Sequence, residues 1–180
     1  MAPPSDPIGM GLAGTLQGQF WNQSEEEPAD EDQGMLMDAL PHHYHSDLTW
    51  EIDRRGWLSA PPRKGLLGGL PPQFGGTEDA WSPEHLLVAS ANLCLMLTFL
   101  SLAEKSRLEV RGYRSQAEGI LDRTGEGLQF DAIEIRVELA VPPEKREQAE
   151  SMLRKAEKHC LIANSLRCPV RVIVPREVPA

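Results

Sequence analysis

The sequence predicts an α+β fold in which one long helix is buried against an antiparallel sheet. Three observations carry that prediction. An almost wholly apolar stretch runs from Leu86 to Ala103 behind a clear helix-start signal, two long stretches of alternating polarity follow it, and an amphipathic helix with one short strand closes the chain. Elements that come in blocks rather than in strict strand–helix alternation indicate an α+β arrangement.

The first 40 residues stand apart. They hold Asp6, Glu25, Glu26, Glu27, Asp30, Glu31, Asp32 and Asp38 with no Lys or Arg. With their prolines and glycines they read as an acidic, weakly ordered N-terminal extension (1–40) ahead of a domain spanning 41–180. Phe20-Trp21 and Met35-Leu36 are the segments of it suited to docking on the body or on a partner.

From Tyr44 to Leu70 the chain reads as short strands. Leu48, Trp50 and Ile52 alternate, and Trp57 and Leu58 follow a turn at Arg54-Arg55-Gly56, which gives a hairpin or meander. Pro71-Pro72-Gln73-Phe74-Gly75-Gly76 then interrupts regular structure. Ser82-Pro83-Glu84 is a helix start: Ser caps, Pro is preset for the first helical position, and Glu suits the positive end of the dipole. Only Ser90, Asn92, Thr98 and Ser101 interrupt the apolar run behind it. Such a helix either spans a membrane or is buried on all sides. The run is at the short limit of a span, Asn92 is costly in lipid, and a soluble β pattern follows, so burial is the reading adopted here.

Leu108 to Leu121 and Leu128 to Val141 read as two strands joined around Arg123-Thr124-Gly125-Glu126-Gly127. In the second, Ile133, Ile135, Val137, Leu139 and Val141 share one side and Glu134, Arg136 and Glu138 the other. Pro142-Pro143-Glu144 opens a helix with Ala149, Met152, Leu153, Ala156 and Cys160 on its inward face, and Val170 to Val174 forms the last strand. One sheet covers one face of the apolar helix, so a second subunit is expected over the rest, giving a homodimer.

The net charge of −9 is nearly all in the extension. The body is close to neutral, with no basic stripe to match nucleic acid or an anionic membrane, so neither is expected as a partner. An apolar share of 41%, a charged share of 25% and a mean hydropathy of −0.36 are those of a soluble globular protein. Three cysteines do not suggest a secreted disulfide framework. No basic segment followed by an apolar one opens the chain, which argues against a cleaved export signal. A reducing, cytoplasmic setting is expected.

Cys94 and Cys160 both fall on faces that should meet in the core, where two helices on one sheet can bring thiols within disulfide range. Cys160 is expected at a helix C-terminus, where the partial negative charge disfavours a thiolate. Cys94 is mid-helix and gains nothing from either end, so it needs an imported cation to react as a thiolate. Arg54 and Arg55 are the candidates, the plainer reading being that they sit in an exposed turn.

The chain from Tyr44 to Val174 resembles the OsmC/Ohr superfamily, which includes organic hydroperoxide reductases and osmotically induced proteins. The resemblance rests on Pro71…Phe74-Gly75-Gly76…Ser82-Pro83-Glu84-His85-Leu86-Leu87…Cys94 and on His159-Cys160…Asn164-Ser165-Leu166. It implies a swapped α+β homodimer with two active sites at the subunit interface. It also implies a thiol peroxidase, in which Cys94 attacks the organic hydroperoxide and becomes a sulfenic acid. Cys160 resolves that as a Cys94–Cys160 disulfide, and a dithiol reductant, a lipoyl protein or a thioredoxin-like one, restores the pair. The resemblance maps the thiolate-stabilising arginine onto Arg54, with Arg55 one register away, and its holding glutamate onto Glu84. Ten residues of straight helix span about 15 Å, so Glu84 does not touch Cys94; it either positions the arginine or only favours the helix N-terminus. The segment Cys160-Leu161-Ile162-Ala163-Asn164 lacks the Pro and Ser that many members carry there, which points to a less characterised branch.

No cofactor and no metal is expected. His42, His43 and His45 cluster and Cys168 is spare, but their spacing matches no recognised zinc pattern. A Cys–His hydrolase fails on geometry, because His159 and Cys160 are neighbours pointing about 100° apart. The remaining alternative is a non-catalytic dimer that binds a small apolar ligand.

Overall fold

The computed structural model describes residues 40–175. The chain divides into two units, Met1–His43 and Tyr44–Ala180. Of the first, only 40–43 are described, in no regular element; the acidic run, Phe20-Trp21 and Met35-Leu36 lie outside the described residues.

Among its described residues the second unit holds two three-stranded sheets and three α-helices. Strands β1 (Asp47–Trp50), β2 (Arg55–Ala60) and β3 (Arg63–Gly69) form an antiparallel meander. Its first turn lies one step earlier than the sequence suggests. Asp53 takes a left-handed backbone (φ 53) and its carbonyl accepts from Trp50 Nε1 at 2.9 Å, so Arg55 already belongs to β2. After a turn of 3₁₀ helix at Pro72–Phe74, Trp81 pairs alongside β3, its amide bonding to Leu67 and its carbonyl accepting from Gly69. That pairing fixes the start of α1 against the meander.

Helix α1 (Pro83–Lys105) opens on Ser82, whose buried Oγ accepts from the amide of His85 at 3.2 Å. Its buried residues are Ala91, Leu95, Phe99 and Ala103, one stripe at four-residue spacing. Leu93 and Leu97, on the other side, are each 54% exposed. Within the single chain, its own sheet and α2 thus reach one face of α1 only, the one-sided cover from which the second subunit was expected. In length and apolarity α1 matches a membrane-crossing helix. Its stripe instead packs into the hydrophobic core of the unit.

Strands β4 (Gly112–Thr124) and β5 (Gly127–Ala140) form a long hairpin with a register shift near Ile120 and Leu121. Ile133, Ile135 and Val137 are fully buried on the face towards α1, as the alternation predicts. Strand β4 starts later than predicted, with Leu108 buried in the preceding connection. A 3₁₀ turn (Pro143–Lys145) leads into α2 (Arg146–His159), which buries Ala149, Met152, Leu153 and Ala156. Helix α3 (Leu161–Ser165) follows at once, then β6 (Val170–Ile173).

Strand β6 lies parallel to β5, with Ile133 opposite Val170 and Ile135 opposite Val172. The sheet is mixed rather than antiparallel, since the helical crossover carries the chain back to the same end of β5. Glu157 Oε1 accepts from the amide of Val172 at 3.1 Å, which ties α2 to this edge strand.

Candidate active site

Cys94 stands in the middle of α1, half-buried; Cys160 stands between α2 and α3 and is 1% exposed. Both are free thiols, and the fold brings them close enough for the Cys94 side chain to raise the Cys160 pKa. Packing of α2 and α3 on α1 produces the meeting.

The local field at Cys160 differs from the expected one. Helix α2 ends at His159, and Cys160 turns extended (φ −68, ψ 110) to become the residue before the first turn of α3. Asn164 Nδ2 donates to the carbonyl of Lys158 at 2.9 Å across the break, satisfying one of the carbonyls that the end of α2 leaves open. Burial pushes the Cys160 thiol up, the amides of Ala163 and Ile162 draw it back down, and the Cys94 thiol raises it further. Neither amide makes a hydrogen bond of capping geometry to the sulfur. The backbone thus favours a thiolate at Cys160, and burial opposes it.

Tyr113, on β4, completes the surroundings. Its ring packs on Phe99 with centroids 5.7 Å apart, and its Oη is buried with no hydrogen bond of good geometry among the described residues. Burial raises its pKa, the nearby Ser115 opposes that, and the charge of Cys160 adds to it. The Ser115 hydroxyl is already given to Asn92 Oδ1 at 2.7 Å. Leaving a buried hydroxyl unpaired costs about 1–3 kcal/mol. Sequence reasoning passed over Tyr113, because an aromatic residue in an alternating strand reads as packing.

Arg54 and Glu84 lie towards the other end of α1. Glu84 is in its first turn, about 15 Å along the helix from Cys94. Its Oε2 is buried with no hydrogen-bond partner among the described residues. Arg54 and Arg55 line a largely apolar cavity of about 540 Å³ with Trp50, Trp81, Pro83 and Leu86. The two arginines differ in what holds them. Arg55 Nη1 and Nη2 donate to Asp79 at 3.0 Å each, and Nη2 also donates to Thr77 Oγ1 at 2.9 Å. Thr77 in turn donates to Asp79, and that bond, with the guanidinium, lowers the Asp79 pKa. Among the described residues no ion pair engages Arg54. The single chain thus joins Cys94 to Cys160, and places Arg54 and Glu84 around the start of α1 without joining them to the cysteines.

Residues 76–174, more than half of the chain, match the family described as OsmC-like protein. The Bacillus subtilis protein YmaD, described as uncharacterized, is 21% identical over 131 residues, which cover 70% of this chain and 87% of YmaD. Among solved structures, an OsmC-like protein of unknown function from Vibrio cholerae is similar at a TM-score of 0.70 and 24% identity, covering 75% of this chain and all of its own (100%). An organic hydroperoxide resistance protein from Elizabethkingia anophelis is similar at 0.64 and 18% identity, covering 78% and 100%. At these identities the structures bear on fold alone, and they share the α+β arrangement described above. With the family match across the long helix, the hairpin and the crossover, the chain belongs to the family of OsmC-like proteins.

Proposed function

We propose that this chain is a thiol-dependent peroxidase that reduces organic hydroperoxides in oxidative-stress defence. The observation that carries the reading is the meeting of two free thiols, Cys94 and Cys160, from helices far apart in sequence. In the proposed cycle the Cys94 thiolate attacks the terminal peroxide oxygen, the O–O bond breaks, and the alcohol leaves with a proton. Cys160 then attacks the Cys94 sulfenate sulfur, forming the disulfide as the oxygen departs as water. A dithiol reductant, a lipoyl protein or a thioredoxin-like one, takes the disulfide back to two thiols in the cytoplasm. Neighbours described as organic hydroperoxide resistance proteins support the substrate class.

The same proposal makes Arg54 the cation that favours the attacking thiolate and Glu84 its holder. Support comes from a Glu84 Oε2 without a hydrogen-bond partner and an Arg54 without an ion pair among the described residues. It also takes the protein as a homodimer, swapped in the manner its resemblance implies. The exposed Leu93 and Leu97 on the uncovered side of α1 support a second subunit there.

The deciding experiment is a count of free thiols before and after one equivalent of cumene hydroperoxide, with peptide mapping. Loss of two thiols with a Cys94–Cys160 link is expected. Three unreacted thiols would overturn the reading. A second reading, a non-catalytic dimer binding a small apolar ligand, is favoured by one observation: the 540 Å³ cavity includes neither cysteine in its lining. Ligand binding there without thiol loss would establish it.

A further inference from the structure

We propose that Asn164 is a positioning residue for closure of the disulfide: its side-chain amide straps α3 to the end of α2 and so holds the bend at which Cys160 sits. The inference rests on the peroxidase reading and names what holds the resolving sulfur in place.

Cys160 is the residue at which one helix becomes two. Its φ of −68 still follows α2, and its ψ of 110 swings the chain out of the helical path. Helices α2 and α3 both pack on α1, and the side chain at the bend between them is 1% exposed. No Gly or Pro stands at the break, and Leu161-Ile162-Ala163 are residues that could carry α2 onward. In such a continuous helix the Lys158 carbonyl would accept from the amide of Ile162, four residues on. At the bend, Asn164 Nδ2 donates to that carbonyl instead, at 2.9 Å. The backbone amide of the same residue donates to the Cys160 carbonyl at 3.0 Å. Asn164 therefore holds both the residue that carries the thiol and the end of the helix ahead of it. Ser165 Oγ donates to the Leu161 carbonyl at 2.8 Å and the Leu166 amide to the Ala163 carbonyl at 3.2 Å, but these bonds stay inside α3 and do not cross the break. A helix of five residues has little stability of its own, so a bond that crosses the break bears directly on how firmly Cys160 is held.

Closure is the step in which position counts. A lone pair on the Cys160 thiolate forms the S–S bond, the S–O bond of the Cys94 sulfenic acid breaks, and the departing hydroxide takes up the proton that Cys160 released, leaving as water. Its rate, and the stability of the disulfide formed, follow the effective concentration of one sulfur at the other, which a fixed bend raises and a swinging one lowers. Asn164 exchanges no proton in this step.

The test is Asn164→Asp, which keeps the side-chain shape but has no hydrogen to donate at neutral pH, with Asn164→Ala beside it. The side chain is exposed, so neither variant opens a cavity. Equilibration in glutathione redox buffers, with peptide mapping of the Cys94–Cys160 link, gives the potential of the pair without any peroxide. Both variants should lower the effective concentration by about two- to tenfold, the effect of one hydrogen bond, which raises the potential of this two-electron couple by about 9–30 mV. Single-turnover oxidation by cumene hydroperoxide, with dimedone as the sulfenate trap, should show closure slowed by a similar factor and sulfenate formation at Cys94 unchanged. A parent-like potential and closure rate, even with a lowered melting temperature, would make Asn164 a strap of the fold alone and overturn the inference. So would a parent protein in which glutathione forms no Cys94–Cys160 link. A parent that forms this link but no sulfenate would remove the peroxidase reading, and the shift in potential would then decide the role of Asn164 by itself.

Discussion

Arg55 and Asp79 are joined by two parallel hydrogen bonds of 3.0 Å, Nη1 to Oδ2 and Nη2 to Oδ1. The pair links the start of β2 to the loop ahead of α1, and it commits one of two adjacent guanidinium groups to architecture. Its neighbour Arg54 takes part in no ion pair among the described residues, which leaves it free for the role proposed above.

That division predicts unequal effects from the two arginines. Arg54→Ala should slow peroxide attack by about a hundred- to a thousandfold, the range for loss of a group stabilising charge in a reacting site. Arg55→Ala should leave the attack within a few-fold of the parent and loosen the segment from Thr77 to Trp81 instead. Stopped-flow peroxide consumption gives the first comparison and amide exchange the second.

The cysteines should separate by turnover number. Cys94→Ser should abolish peroxide consumption. Cys160→Ser should permit one turnover and then stall as the sulfenate, and Cys168→Ser should leave the cycle intact. Product alcohol counted per subunit distinguishes the three, and a fully active Cys94→Ser protein would end the proposed mechanism.

Stability of the reduced protein should fall in alkali. The folded Cys160 pKa is raised above its ordinary value of 9.0, so the native state holds a proton that the unfolded chain releases. Its contribution is complete below about pH 9 and is lost as pH rises from there towards the folded value. Tyr113, raised above 10.0, acts with the same sign at higher pH. Melting temperatures between pH 8 and 10.5 should show the decline, and Cys160→Ser should flatten its first part.

Leu97→Asp should disturb association more than folding. Leu97 is 54% exposed on the side of α1 that its own chain leaves uncovered. If a second subunit covers that face, a carboxylate there goes unpaired into an apolar contact. Sedimentation should show a dimer for the parent and a smaller species for the variant, with helical circular dichroism retained.

Gly76→Ala should be costly despite its small size. A Cβ at Gly76 would fall on the Leu70 carbonyl, which accepts from the amide of Thr77 at 3.2 Å. The backbone cannot yield without moving Thr77 and Asp79 away from Arg55. A lowered denaturation midpoint together with faster exchange in the 70–81 segment is expected; an unchanged midpoint would contradict it.

Much of this architecture was legible in the residues. Ser82-Pro83-Glu84 announced α1 because capping chemistry is local, and the Ile133, Ile135, Val137 alternation announced a one-sided strand because side-chain direction has a period of two. What escaped depends on tertiary partners. The direction of β6 is set by where the crossover delivers the chain, which no property of Val170 to Ile173 encodes. The break at Cys160 was hidden because Leu161-Ile162-Ala163 continue a plausible helix; the signal available was Asn164, a residue able to satisfy a carbonyl six positions back. The proximity of Cys94 and Cys160 was expected from their inward faces, whereas the commitment of Arg55 to Asp79 spans 24 positions and left no mark on either residue.

The parallel placement of β6 also orders events during folding. Cys160 lies inside the excursion that leaves β5 and returns as β6, so its position is settled only when that long-range pairing closes. Contacts of large sequence separation are entropically late. A chain still lacking its final strand carries Cys94 on an already plausible helix with no second sulfur beside it. If the proposed mechanism holds, the pairing of the two thiols is what maturation completes last, and a nascent or partly unravelled molecule would hold the proposed attacking residue without the one proposed to resolve it.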